Sequence, residues 1–180
     1  MKKSYGLIAL ALLLAAAPAF AQNPTLGLYW DLQGTQMSLN RVGGFDEPAF
    51  NGYVIAYMEN VIDGAAFKLT VPAGVMVTGE AIPPGIMVGT ALTGVQIALT
   101  SPQFGFYGNP VLIETITFWT GANLVPNGEL VVGPYTDFYQ TVLLVDHLGE
   151  LYVADGLTSY LNVPVATENS TWGGVKDLYK

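Results

Sequence analysis

The chain has 180 residues, with fourteen acidic against six basic side chains and a formal net charge of −8, which makes nucleic acid and anionic membrane surfaces poor partners. It contains no cysteine, which excludes disulfides, thiol chemistry, thiolate metal sites and the acylated cysteine of a lipoprotein. Charged residues make up 11% and apolar residues 51%, against about 25% charged in ordinary domains, so either the core is large or apolar surface is exposed as an interaction face.

The first residues read as a targeting signal. Lys2 and Lys3 give a basic start, Leu7 to Ala17 is apolar, Pro18 ends the run, and Ala19-Phe20-Ala21 fits a small-x-small cleavage site. The run is shorter than the ~20 residues that a spanning helix needs. The expected organisation is a signal peptide over 1–21, a β-sandwich domain over 22–167 and a C-terminal helical tail over 168–180. The product is then an exported protein of the periplasm, cell surface or medium, with no stable membrane insertion after cleavage. From Gln22 onward there are 159 residues with four basic and fourteen acidic side chains, a net of −10. A domain of ~150 residues can bury about 70% of its unfolded surface, enough to hold without disulfides.

Two short strands open the domain, Leu26 to Leu32 and Gln36 to Leu39, joined at Gly34. Leu26, Leu28, Trp30 and Leu32 share one face of the first. Arg41 to Asn51, with Gly43-Gly44 and Pro48, reads as a loop. Gly52 to Pro72 reads as a central hairpin, two strands with Asp63-Gly64 as the turn. In its second arm Phe67, Leu69 and Val71 point inward and Ala66, Lys68 and Thr70 outward. Strands follow at Gly74 to Glu80, Ile86 to Leu92, Gly94 to Thr100 and Val111 to Trp119, with a loop over Ser101 to Pro110. Asn127-Gly128 turns the chain into Glu129 to Gly133. A second hairpin uses Thr141 to Val145 and Glu150 to Ala154, and Thr158 to Val163 closes the β part. Turn signals recur every 8–12 residues or so, as in sandwiches. The expected fold is all-β, a single antiparallel β-sandwich of jelly-roll or Ig-like type with a short C-terminal helix.

In that helix Trp172, Val175, Leu178 and Tyr179 form an apolar stripe, a partner-docking candidate. A helix so short is marginal alone and needs its stripe docked, on its own sandwich or on a partner.

Reactive groups are sparse. His147, the one histidine, stands beside Asp146 in a hairpin tip, but no serine lies in a nucleophile motif to be activated. Asp46-Glu47 and Asp146/Glu150 are carboxylate pairs with no sequence sign of convergence. Asp137, Asp146, Glu150 and Asp155 could offer oxygen ligands to calcium, although no segment has the spacing of a calcium loop. The expectation is no catalytic residue, no resident metal and no cofactor. The aromatics suggest more. Phe104, Phe106 and Tyr107 share one loop, and Tyr135, Phe138 and Tyr139 share another. Rings on loops at one end of a sandwich grip glycans or peptides at low entropy cost, so these six are the ligand-binding candidates. Burial of the same rings over the core ends is the competing reading.

The run from the Asn60-Val61 turn through GAAFKLTVP (Gly64 to Pro72), GVQIAL (Gly94 to Leu99) and VLIETITF (Val111 to Phe118) resembles a cohesin-type or carbohydrate-binding-type sandwich. The layout with its ending STWGGVKDLYK also looks like small exported proteins of bacteria with a two-membrane envelope. The resemblance implies a nine-stranded or similar jelly-roll-like sandwich with a non-catalytic binding or scaffolding role. It lies in core-forming strands and carries over no functional residue. The expected function is therefore an exported, non-catalytic binding or adhesion module for a glycan or an extracellular protein. The alternative is a structural, surface-assembly component docking through its C-terminal helix.

Overall fold

A computed structural model describes residues 23–41, 49–105, 109–120, 125–135 and 140–162. Among them the chain forms twelve strands and no helix. In chain order these are β1 (Thr25–Tyr29), β2 (Ser38–Leu39), β3 (Phe50–Tyr57), β4 (Val61–Thr70), β5 (Met76–Ala81) and β6 (Gly85–Thr90). They continue with β7 (Gly94–Phe104), β8 (Val111–Trp119), β9 (Gly128–Gly133), β10 (Val142–Asp146), β11 (Leu151–Gly156) and β12 (Thr158–Leu161). The proposed signal peptide and C-terminal helix lie outside the described residues.

The strands make two layers. One has the order β5-β8-β3-β1, and the other runs β6-β7-β4-β10-β11, with β9, β12 and β2 continuing from the last part of β4. The layers meet where β11 pairs in parallel with β1 through Thr25–Asp155 and Leu26–Gly156. Leu26, Leu28, Val54, Ile113, Ile116 and Phe118 of the first layer pack against Phe67, Leu69, Val95, Ile97, Leu130, Val132 and Leu144 of the second as one core. Burying such side chains contributes roughly 1.5–3 kcal/mol each.

Residues 52–72 do not form the expected hairpin. β3 pairs with β1 and β8, whereas β4 pairs with β7, β10 and β9. The chain crosses between layers at Met58 to Asn60, because each strand has an apolar face that the opposite layer covers. Asp63-Gly64, the apparent turn, lies inside β4. It sits at a register shift: Ile62 pairs with Gln103 but Gly64 with Ala98, so β7 advances five residues while β4 advances two. A Cβ on Gly64 would stand 2.4 Å from the Ile97 carbonyl oxygen. The residue types that suit a turn here suit a bulge, where backbones approach closely.

Two further expectations are corrected. Leu32 is 53% exposed, because β1 ends at Tyr29 and Asp31 accepts hydrogen bonds from the Thr35 and Gln36 N–H groups, turning the chain away. β7 continues through Ser101 to Phe104, since it rejoins β4 beyond the bulge at Gln103 and Phe104.

A second bulge has an electrostatic result. Val54 pairs with Glu114 but Ile55 with Leu112, so β8 carries one extra residue and its inward phase changes. Glu114 then faces the core beside Ile116 and Phe118, fully buried, and neither carboxyl oxygen has a hydrogen-bond partner. Burial, and secondarily the charge of Glu80, pushes its pKa from 4.5 to about 8.

The folded chain therefore binds a proton at Glu114 that the unfolded chain releases near pH 4.5. Its contribution to stability is fully present below that value and is lost as pH rises to about 8, at up to ~1.4 kcal/mol per pH unit. Urea midpoints at pH 5, 6.5 and 8 will fall along this series, and Glu114→Gln will flatten the fall; equal slopes in both proteins would refute the assignment. Gly64→Ala will cost about 2 kcal/mol by forcing β4 from β7. Gly79→Ala, whose added methyl meets nothing closer than 3.5 Å, serves as the near-neutral control in the same titration.

Candidate interaction face

The outer face of the second layer departs from the usual rule that a half-exposed sheet is polar outward. Register places two rows of side chains across five strands. One row is Val88, Gln96, Ala66, Leu143 and Val153, and the other is Ile86, Ala98, Gly64, Val145 and Leu151. Gln96 is the one polar member. Ile86, Val88, Leu151 and Val153 are 66%, 59%, 65% and 60% exposed.

Side-chain size gives the face its relief. Gly64, Ala66 and Ala98 form a low floor on β4 and β7, while Ile86 and Val88 on β6 and Leu143, Val145 and Leu151 on β10 and β11 rise as walls. The result is a groove of about 360 Å³ lined also by Tyr135. β6 pairs only with β7, so one wall is an edge strand.

At one end the groove opens into a second hollow of about 440 Å³, sharing Ile97, Ala98 and Val145 and adding Asp63, Asp146, His147 and Leu148. Asp63 Oδ1 is buried without a hydrogen-bond partner. Asp146 is fully engaged: Oδ1 accepts from the Leu148 and Glu150 N–H groups, and Oδ2 from the Tyr152 hydroxyl and Asn60 Nδ2. Burial would raise its carboxyl, but those N–H groups, the Tyr152 hydroxyl and the charge of His147 outweigh it and hold the group below its ordinary value. Asn60 also receives the Val61 N–H, so this network fastens the β3–β4 crossing to the tip of the β10–β11 hairpin. Asp146 is a structural brace, and His147 stands exposed on that tip rather than steered toward a nucleophile.

The expected aromatic site is divided. Phe104 is 72% exposed at the end of β7, whereas Tyr135 lies beside Gly94 at the start of β7. Register sets Phe104 opposite Val61 and Val95, the neighbour of Gly94, opposite Phe67, six residues along β4 or ~20 Å, so the two do not converge. Phe106, Tyr107, Phe138 and Tyr139 lie outside the described residues, as do Trp172, Val175, Leu178 and Tyr179. Asp137 does too, and among the described residues no three His, Asp or Glu side chains gather where they could share a metal. Among the same residues no helix is long and apolar enough to cross a membrane.

The apolar rows went unlocated in the sequence, although a signal existed. Ile86-Met87-Val88 and Val142-Leu143-Leu144-Val145 are apolar without alternation, in strands that the layout covers on one side only.

No protein-family model matches the chain, and no curated protein is similar in sequence. Solved structures do match in shape. A cohesin module from a Clostridium perfringens family 33 glycoside hydrolase superposes with a TM-score of 0.53 at 8% identity, over 78% of this chain and 95% of that one. The sixth cohesin of Acetivibrio cellulolyticus scaffoldin B, solved with a Cel5 dockerin, gives 0.53 at 11% identity over 78% and 99%. A non-cellulosomal cohesin from the archaeon Archaeoglobus fulgidus gives 0.53 at 11% identity over 84% and 97%. The fold of this chain is a cohesin-like β-sandwich.

Proposed function

We propose that this chain is an exported, non-catalytic docking module that binds a partner protein through the outer face of β6, β7, β4, β10 and β11. The observation that carries the reading is the pair of apolar rows, since soluble proteins rarely expose contiguous apolar surface without an interaction role. A protein partner suits it better than a glycan. Sugar recognition needs aromatic platforms edged by polar groups, and here the rows are aliphatic while Phe104 and Tyr135 stand apart. Cohesin structures of the same shape solved with dockerins support a protein partner by analogy of fold. The basic, apolar and small-x-small order of residues 1–21 supports export.

A photo-crosslinking side chain at Val88 or Val153, in the protein made by its own cell, will capture a discrete protein at least tenfold more efficiently than one at Thr78, an exposed position on the other layer. Ile86→Glu will abolish capture from Val88 while shifting the unfolding midpoint little, because the site is exposed. Equal capture from both layers, or capture indifferent to Ile86→Glu, would overturn the reading.

A further inference from the structure

Among the described residues the sheets end in β2, β5 and β6, and two of these strands are guarded. β2 is two residues long, and β5 carries a register shift between Val77 and Gly79 and a charge at Glu80. Shortness, bulges and charge are the usual means by which an edge is kept from pairing with another chain. β6 has none of them. Its six residues are uncharged, and its register with β7 is unbroken from Gly85–Leu99 to Thr90–Gly94. Among the described residues no strand pairs with its other side.

The ladder dictates what that side presents. The Thr100 N–H donates to the Pro84 carbonyl, and antiparallel ladders alternate between pairs that exchange both bonds and pairs that exchange none. Ile86 and Val88 therefore spend their N–H and C=O groups on β7, while Gly85 and Met87 turn theirs to the free edge. Pro83, which lacks an N–H, and the left-handed backbone of Gly89 (φ 89°) bound this straight portion. Its outward side chains, Pro84, Ile86 and Val88, are exposed and apolar.

Such an edge is its own complement. With a two-fold axis at Ile86, Gly85 of each copy opposes Met87 of the other, and every free-edge N–H of these residues meets a carbonyl. Ile86 then faces Ile86 of the second copy at a position without backbone bonds, where side chains approach most closely. Pro84 lies beside Val88, and the half-buried Met87 has the side-chain-free Gly85 opposite it. No charge enters the seam. That favours approach of two chains which, from Gln22 onward, each carry four basic and fourteen acidic residues, a net of −10.

We propose that two copies of this chain join edge to edge through β6, antiparallel about Ile86. The outer faces of the two copies, five strands from each, then form one continuous apolar surface. A second copy suits the edge better than an unrelated extended segment, because the same short run supplies both halves of every pair. A seam one strand wide falls below the about 1,200 Å² of a standard stable interface, so the pair is reversible. It uses backbone groups at the rim and does not depend on the partner face proposed above.

The chain has no cysteine, so a single introduced one reports self-association without ambiguity. In the whole protein under oxidised glutathione, Ile86→Cys will form a disulfide-linked dimer at least tenfold faster than Val88→Cys, which the register sets opposite Pro84. It will exceed Val153→Cys by as much, although Val153 is 60% exposed on the same face. Adding Met87→Pro, which removes a free-edge N–H and none from the β7 ladder, will bring the Ile86→Cys rate down to that of Val153→Cys. In the unaltered protein the Met87 N–H will exchange with solvent at least threefold more slowly after a hundredfold rise in protein concentration, while exchange along β5 stays unchanged. This measurement decides if urea titration finds the proline variant misfolded. Equal disulfide rates at 86, 88 and 153, a rate indifferent to Met87→Pro in a folded variant, or Met87 exchange independent of concentration would overturn the inference and leave the partner face standing.

Discussion

Everything in this sandwich turns on β4 being paired along both of its edges. Its inner face, through Ile62, Ala65, Phe67 and Leu69, fills the core. Its outer face, through Gly64 and Ala66, is the floor of the groove. Its first part is held by β7 and β10 and its last three residues by β9. Removing β4 would leave β6-β7 without an anchor and β10-β11 attached only through the short parallel seam to β1. The same ten residues therefore set both the stability of the protein and the shape of the surface it offers.

The bulges show how a local irregularity gives a sheet two characters. At Gly64 the missing side chain lets the Ile97 carbonyl of β7 approach closely, and the neighbouring Asp63 Oδ1 is buried without a donor. At Glu114 one extra residue in β8 turns a carboxyl into the core, where burial keeps it protonated at neutral pH. The first irregularity lies on the exposed layer and gives the groove a charged end. The second lies opposite and makes the protein's stability depend on pH. Glu114 is fully buried on the same side of β8 as Ile116 and Phe118, and Asp146 spends both oxygens on holding a loop.

Much of the fold was legible from period-two alternation. Val111 to Trp119 appears as β8 with the bounds read from sequence, and the alternation of Phe67 and Leu69 against Lys68 and Thr70 holds in β4. What misled was turn chemistry. Asp63-Gly64 satisfies the rules for a tight turn, yet those rules describe backbone freedom and not chain reversal, and the freedom was used inside a strand. Pairing between strands distant in sequence was not legible either, since nothing in residues 52–72 states which layer covers each arm. The surface was half legible. An apolar share of 51% pointed to exposed apolar area, but locating it needs the register that aligns Val88, Ala66, Leu143 and Val153.

The seam between β1 and β11 joins Leu26 to Gly156, and the β12 hydroxyl of Ser159 reaches back to the Leu28 carbonyl. The Ser159–Leu28 contact joins residues 131 apart in sequence, so such contacts form only after long loops of chain have been gathered in. Folding of such a topology takes milliseconds to seconds, against microseconds for a helical bundle. A polypeptide that stays open for that long after synthesis remains threadable, and its last strands must emerge before its first one can be locked in place.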